Sequence, residues 1–332
     1  MSLEEVAKLA KVSTATVSRV LNDIGPVRAS TRTRVLKAIE DLKYHPNLHA
    51  RTLAGGKSRT FGMIVSNLEN PFFFDVFKAA EEAARIKGYE IVLANTDYRP
   101  EQLVRHIRLM LGRRVAGLTL VISEMDTTLV EEFSDGDIPV VFYDVGTPGQ
   151  NVSNITVNYG KGIERVVHYL HQLGHRRMAF VSHHPTLAPL RIRERVFRET
   201  IGEFSSAINW KIVANNDGIE GGRLATREIL ASGLNPTAII CVNDFMALGV
   251  LHELREAGIP VPQQVSVTGF DNIKLAEVAW PTLTTLHIPR DRIGQLMVQL
   301  LTETHNEPDV VGRTVLIDPE LVLRASTGPT CM

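Results

Sequence analysis

The segment from residue 13 to residue 22 concentrates small polar side chains around one arginine. Its candidate contact residues are Ser13, Thr14, Ala15, Thr16, Ser18, Arg19 and Asn22. Arginine is the usual bidentate partner of guanine, and small side chains let a helix approach the base edges closely. The segment therefore predicts a surface that reads DNA, with Thr14, Ala15 and Arg19 setting the base preference.

Three short helices are expected to position this surface. Ser2 and Glu5 form a capping box that starts the first helix, and Ser13 caps the second. A third helix is predicted from about residue 30 to residue 43, with Ser30 or Thr31 as its cap, and Thr31 is included among the DNA contacts. Capped amphipathic helices are common, so an unrelated three-helix domain is the alternative interpretation.

The distribution of charge favours nucleic acid as the partner of this end of the chain. Residues 1 to 59 carry eleven Lys and Arg against five Asp and Glu, a net charge of +6, whereas the whole chain of 332 residues has a net charge of -1. A basic head on an acidic body is typical of phosphate binding by one end only, with affinity that depends strongly on salt.

The segment VAKLAKVSTATVSRVLN, residues 6–22, resembles the signature of the LacI/GalR family of bacterial transcription repressors, and the resemblance extends along essentially the whole chain. It implies an all-α three-helix DNA-binding head at 1–45, a hinge helix or linker at 46–58, and a periplasmic-binding-protein-like sensor at 59–332. The sensor would bind an effector and dimerise, and the chain would cross between its lobes three times. The expected DNA target is a pseudo-palindromic double-stranded operator bound by a homodimer.

The predicted hinge segment is short. Pro46 can open a helix that the glycines at 55 and 56 must end, and so short a helix is marginal alone. We expect it to form only beside its twin on DNA. The resemblance implies that Leu53 is a wedge inserted from the minor groove and Ala50 its close-packing neighbour, and Asn47 is added as a contact. A plain linker is the alternative.

From residue 61 onward, short apolar runs alternate with helical patterns, as expected for parallel sheets wrapped by helices. The prediction is an α/β sensor of two doubly wound parallel-sheet lobes, lobe 1 at about 60–158 and 290–317, and lobe 2 at about 159–287 and 318–328. Strands are predicted at 61–66, 89–94, 115–121, 139–143, 178–182, 212–214, 238–242 and 265–270, and helices at 71–87, 100–112, 127–133 and 290–303.

Effector contacts are expected in the cleft, at the carboxyl ends of strands. Asp144, Asn243 and Asp271 each follow a predicted strand, although such residues are equally good helix caps. Carboxylates and amides suit a polyhydroxylated ligand. The resemblance adds Arg193 and Asp217.

Two further candidates and one departure bear on the ligand. Phe72 and Phe73 would offer apolar faces, or belong to the core. Several relatives place an aromatic residue that stacks on a sugar or purine near Asp217, where this chain has none. Stacking on a base or a pyranose is therefore not expected, and Asp217 would repel a phosphate or carboxylate ligand, although Arg193 could offset this. A neutral sugar or polyol is favoured for these reasons, and no residue reveals whether it would release DNA or promote binding.

Other functional classes find little support. The chain has no dinucleotide-binding, phosphate-binding, hydrolase or metalloprotease motif, so no catalytic residue, cofactor or metal is predicted. Cys241 and Cys331 form no disulfide framework, and no apolar run spans a membrane, which favours the reducing cytoplasm. The tail lacks leucine heptads, so a dimer is expected. Two rival hypotheses remain. The first is a sensor that binds a protein co-regulator, and the second, less favoured, is a sugar-handling enzyme.

Overall fold

A computed structural model describes residues 2–22, 25–44, 58–124, 138–145, 147–183, 187–204, 208–307 and 311–330. The chain divides into two compact units, Met1–Ser58 and Arg59–Met332. In the part of the chain so described, no helix has the length and apolarity that crossing a bilayer requires.

The first unit contains the helices α1 (Leu3–Ala10), α2 (Thr14–Asn22) and α3 (Ala29–Asp41). The capping box forms as predicted, because the Glu5 amide donates to Ser2 Oγ at 3.3 Å and the Ser2 amide donates to Glu5 Oε2 at 2.7 Å. The Thr16 amide donates to Ser13 Oγ at 3.2 Å, which caps α2. Val6, Val17 and Val35, one from each helix, are buried in a common core.

The predicted cap of the third helix is wrong. The helix begins at Ala29, so Ser30 and Thr31 lie inside its first turn rather than before it. The carbonyl of Arg28 accepts from the amides of Thr31 and Arg32, at 2.9 and 3.0 Å. Arg28 is therefore the N-cap residue, and its side chain makes no capping hydrogen bond.

In the second unit, lobe 1 is built on a six-stranded parallel sheet. Its strands are β1 (Thr60–Val65), β2 (Glu90–Asn95), β3 (Gly117–Val121), β4 (Val140–Tyr143), β5 (Val152–Val157) and β11 (Thr314–Ile317). They lie in the order β11-β5-β4-β3-β1-β2. Its helices are α4 (Pro71–Ile86), α5 (Pro100–Gly112) and α11 (Arg290–Asn306), of which α11 packs along α4.

Lobe 2 is built on a four-stranded parallel sheet in the order β7-β6-β8-β9. Its strands are β6 (Arg177–His183), β7 (Asn209–Asn215), β8 (Ala238–Cys241) and β9 (Ser266–Thr268). Its helices are α6 (Tyr159–Gln172), α7 (Ala188–Gly202), α8 (Ile219–Ala231), α9 (Asp244–Glu256) and α10 (Lys274–Val278). The predicted architecture of two parallel-sheet lobes is confirmed.

The chain passes between the lobes three times: between β5 and α6, between Thr285–His287 and α11, and after β11. The strands β10 (Thr285–His287) and β12 (Glu320–Val322) pair antiparallel beside these crossings. Arg290 fixes one crossing, because its guanidinium donates to the carbonyls of Asp271 and Asn272 and lies 3.1 Å from Asp75 on α4.

Some elements differ from the prediction. The strands β5 and β11 were not predicted, since β5 carries Ser153 and Asn154 in its middle and does not form an apolar run. Strand β7 is longer at both ends than predicted. The helix predicted at 127–133 lies outside the described residues.

Candidate functional site

The α2 surface displays most of the residues predicted to read DNA. Ser13, Thr14, Ala15 and Arg19 are exposed, while Thr16 and Ser18 are half-buried, as is Thr31 on α3, and Asn22 ends the helix. Burial of Val17 and Val20 against the other helices turns this face outward. Asn47, Ala50 and Leu53 lie outside the described residues.

The basic side chains of the head are exposed on the same three helices. Seven lysine and arginine residues of the three-helix head are exposed: Lys8, Lys11, Arg19, Arg28, Arg34, Lys37 and Lys43. Lys and Arg side chains neutralise phosphates and release their counterions. The first unit is therefore equipped both to approach a duplex and to contact its bases.

A cavity lies between the lobes in the second unit, at the carboxyl ends of the strands. Its lining combines aromatic rings with a few polar groups: Asn70, Phe72, Phe73, Tyr98, Val121, Ser123, Tyr143, Tyr159, His183, Pro189, Leu190, Arg193, Asn243 and Asp271. Five of the predicted effector residues line it, namely Phe72, Phe73, Arg193, Asn243 and Asp271. Asp144 and Asp217 do not, but each bonds to a residue that does.

Arg193 on α7 is held against aromatic rings. Its guanidinium carbon lies 3.7 Å from the centre of the Tyr159 ring and 4.9 Å from that of Phe270. One Nη donates to the carbonyl of Val242 at 3.4 Å, while the buried Nε has no hydrogen-bond partner among the described residues. An unpaired buried donor costs free energy, so the guanidinium of Arg193 is not fully satisfied by the protein itself.

Asp271 faces the same cavity from the end of β9. It is 7% exposed and has a φ of 108°. Burial raises the pKa of its carboxyl well above the ordinary value, and the nearby Asp244 adds to this, while Arg193 and Arg290 act in the opposite direction. The cavity lining thus includes a guanidinium group, which can donate hydrogen bonds, and a carboxyl group with a raised pKa.

Asp144 supports Arg193 indirectly. It lies at a φ of 68° directly after β4, accepts a short hydrogen bond from the Tyr159 hydroxyl, and accepts from the Val157 amide at 2.8 Å. Burial raises the pKa of Asp144 to about 6, despite these two hydrogen bonds and the charge of Arg193. The carboxylate of Asp144 thus positions the Tyr159 ring against which the Arg193 guanidinium packs.

Asn243 lines the cavity with a side chain that is already engaged. Its Oδ1 accepts from the Met246 amide at 2.7 Å and caps α9, and its Nδ2 donates to Asp217 at 2.8 Å. The capping role that sequence allows for a strand-end asparagine is therefore present. Asp244, the next residue, is fully buried and bonds to the Ile273 amide at 2.8 Å and to Thr285.

Sequence reasoning missed the tyrosines of the cavity. Tyr143 immediately precedes Asp144, and Tyr159 opens α6 just after β5, a strand that was not predicted. Tyr98 follows β2 by three residues. A search for aromatic residues at every strand end, rather than for acids and amides alone, would have found Tyr143.

Two histidines of the second unit have a ring or a carboxylate as a neighbour. His171 stacks on Phe204 with ring centres 3.8 Å apart, and His183 lies 3.7 Å from Asp217. Across the described ranges, no group of three His, Cys, Asp or Glu residues could hold a metal ion.

Known proteins resemble the chain in both units. Residues 2–47 match the family described as bacterial regulatory proteins, lacI family, and residues 167–327 match the periplasmic binding protein-like domain. The HTH-type transcriptional repressor PurR of Vibrio campbellii is 35% identical over 97% of both chains. That of Histophilus somni is 34% identical over 98% of both chains.

The solved structure of the lac repressor dimer bound to operator and the anti-inducer ONPF has a TM-score of 0.85 and 27% identity, covering 99% of each chain. The curated relatives are transcription repressors, which confirms the prediction that the chain is not an enzyme. On the length and extent of these matches, the chain belongs to the lacI family of bacterial regulatory proteins and is a DNA-binding transcription repressor.

Proposed function

We propose that this repressor is controlled by a neutral polyhydroxylated effector, a sugar or polyol, bound in the cleft between the lobes. The observation that carries the proposal is that Arg193 and Asp271 both line the cavity. The Nε–H of Arg193 is buried without a hydrogen-bond partner among the described residues, and Asp271 is 7% exposed at the cavity wall. Adjacent hydroxyl groups of a polyol can satisfy both, since each donates and accepts.

The rest of the lining supports a small, uncharged ligand. Phe72 and Phe73 meet edge to face with ring centres 5.4 Å apart and provide apolar walls in lobe 1. Asp217, whose pKa is held below its ordinary value, carries a negative charge next to the cavity and disfavours an anion. Among the structural neighbours, an Enterococcus faecium LacI-family regulator carries bound ribose, at 25% identity and a TM-score of 0.73 over 81% of this chain and 99% of that one.

We propose further that the repressor acts in the cytoplasm as a homodimer on a pseudo-palindromic operator, with a head at 1–45, a hinge at 46–58 and a sensor at 59–332. Exposed apolar side chains on lobe 1 support self-association: Leu68, Phe74 and Ile86 are 38%, 52% and 73% exposed. The strand β2 lies at an open edge of the same lobe. Dimerisation would bring two copies of α2 to successive half-sites.

Control of DNA binding follows from linkage between two states. An effector that binds one lobe arrangement more tightly shifts the population towards it, and the operator affinity changes by the same coupling factor. Displacing a dominant state requires differential binding of a few kcal/mol. We propose that the residues that contact the operator are those predicted on α2 together with Thr31, Asn47, Ala50 and Leu53.

Selection of bound duplexes from a random pool, with and without a metabolite library, tests the proposal. We expect a palindromic site whose retention changes with a sugar or polyol. A thermal-shift series of sugars, polyols and purine bases on the full chain identifies the class, since a ligand at a hundred times its Kd stabilises by about 2.7 kcal/mol. Stabilisation by purine bases alone would refute the effector class. Stabilisation by a co-purifying protein and by no metabolite would favour the co-regulator hypothesis.

A further inference from the structure

The carboxylate of Asp217 is hydrogen-bonded from both lobes. It lies after β7 in lobe 2, yet its Oδ2 accepts from Asn67 Nδ2 at 3.1 Å and from the Tyr98 hydroxyl at 2.9 Å, both in lobe 1. Its Oδ1 accepts from Asn243 Nδ2 at 2.8 Å and from the Gly218 amide at 2.9 Å, both in lobe 2. Oδ2 therefore accepts hydrogen bonds from lobe 1, and Oδ1 accepts them from lobe 2.

The lobe 1 donors are held in place before they reach across. Asn67 is fixed through its Oδ1, which accepts from the Glu69 amide at 2.9 Å. Tyr98 leaves β2 through a turn in which Asp97 and Tyr98 both have a φ of 57°. Two successive non-glycine residues in the left-handed region are uncommon and cost free energy. This turn carries the tyrosine to Asp217.

The surroundings of Asp217 favour the charged form of its carboxylate. Its side chain is only 3% exposed, and burial acts to raise its pKa. His183 and the hydrogen bonds from Asn243, Tyr98 and Asn67 outweigh burial and hold the pKa of Asp217 below its ordinary value. Hydrogen bonds to a charged acceptor are about twice as strong as neutral ones.

Its accepting positions are also filled. With two donors on each oxygen, Asp217 has little left to offer a hydroxyl group of an effector, and it does not line the cavity. Tyr98 and Asn243 do line it, so an effector would lie beside the bonds that join the lobes.

We propose that Asp217 is a positioning residue that clasps the two lobes across the effector cleft and sets the balance between closed and open forms. The inference deepens the proposed function, because the balance set by the clasp is the one that the effector biases. An effector that engages the Tyr98 hydroxyl would compete with the clasp.

Hydrogen exchange of the full-length, effector-free, DNA-free chain tests the clasp. Tyr98→Phe removes one lobe 1 donor and keeps the ring. We expect amide hydrogen exchange to be about tenfold faster, equivalent to about 1.4 kcal/mol. The increase should appear on both sides of the cleft, here called its two banks: in peptide 67–73 of lobe 1 and in peptide 216–222 of lobe 2. Asp217→Asn should act on the same peptides, and the double variant should add little to Asp217→Asn, because both changes break one contact.

The matched control is Tyr169→Phe, which removes a hydroxyl that bonds to Thr327 Oγ1 at 3.0 Å within lobe 2. It should leave both peptides unchanged. If Tyr98→Phe accelerates neither bank, or only 67–73, Asp217 does not join the lobes and the inference fails. Neither effector nor operator is present, so acceleration of both banks supports the clasp even where the thermal-shift series rejects a sugar.

Discussion

Replacing Asp144 with asparagine should remove a titration that lowers the stability of the folded sensor at neutral pH. The shift of its pKa from 3.8 to about 6 corresponds to about 3 kcal/mol. Because the pKa is raised on folding, the folded chain keeps a proton that the unfolded chain has lost. The contribution of Asp144 to stability is therefore full below about pH 4 and is lost as the pH rises through about 6.

Asparagine retains the geometry without the charge. Its Oδ1 can still accept from the Val157 amide, and its Nδ2 can donate to the Tyr159 hydroxyl, whose proton turns to Tyr143 at 3.4 Å. We expect wild type and Asp144→Asn to have similar free energies of unfolding near pH 4. The variant should gain on wild type by up to about 3 kcal/mol by pH 7.

Urea unfolding followed by tryptophan fluorescence measures this difference. The chain has two tryptophans, Trp210 and Trp280, and both lie in the second unit, so the signal reports the sensor rather than the head. Asp97→Asn, at an exposed position, is the control and should give a curve parallel to wild type. A difference between Asp144→Asn and wild type that does not change from pH 4 to pH 7 would refute the reasoning.

Three further substitutions test other parts of the molecule. Arg19→Ala should weaken specific DNA binding by roughly 1 to 3 kcal/mol and relax base choice; equal losses on specific and random duplexes in a titration would reduce Arg19 to a phosphate contact. Leu53→Ala should lower operator affinity while the thermal unfolding of the sensor stays unchanged, and full affinity would contradict the wedge. Gly222→Ala should destabilise lobe 2 by several kcal/mol in a urea titration, because its Cβ would lie 2.1 Å from the Met246 carbonyl oxygen, whereas Gly112→Ala, with open space at its Cβ, should not.

Local patterns predicted the head well because its structure depends on local interactions. The capping box of Ser2 and Glu5 joins residues three positions apart, and Val17 and Val20 follow the helical period. The cap of the third helix was the exception. Sequence favours a serine or threonine there, but the helix begins at Ala29, and Arg28 occupies the N-cap without a side-chain hydrogen bond.

The cleft was predicted only in part, because its contacts join distant segments. The position after each strand was enough to identify Asp271 as lining the cavity. Nothing local relates Asn67 to Asp217, whose bond spans 150 positions, and nothing local directs Tyr159 towards Arg193. Asn243 shows why residue type alone is ambiguous. An asparagine after a strand can bind a ligand or cap the next helix, and here its Oδ1 caps α9.

The arrangement of strand β11 bears on how such regulators can be recombined. This strand completes the sheet of lobe 1 by pairing with β5, although the chain has built most of lobe 2 in between. Neither lobe is a continuous stretch of chain, so neither can be exchanged or produced alone by a single cut. Transplanting the effector response of this protein onto another DNA-binding head requires one joint near Ser58 and the whole of the sensor behind it.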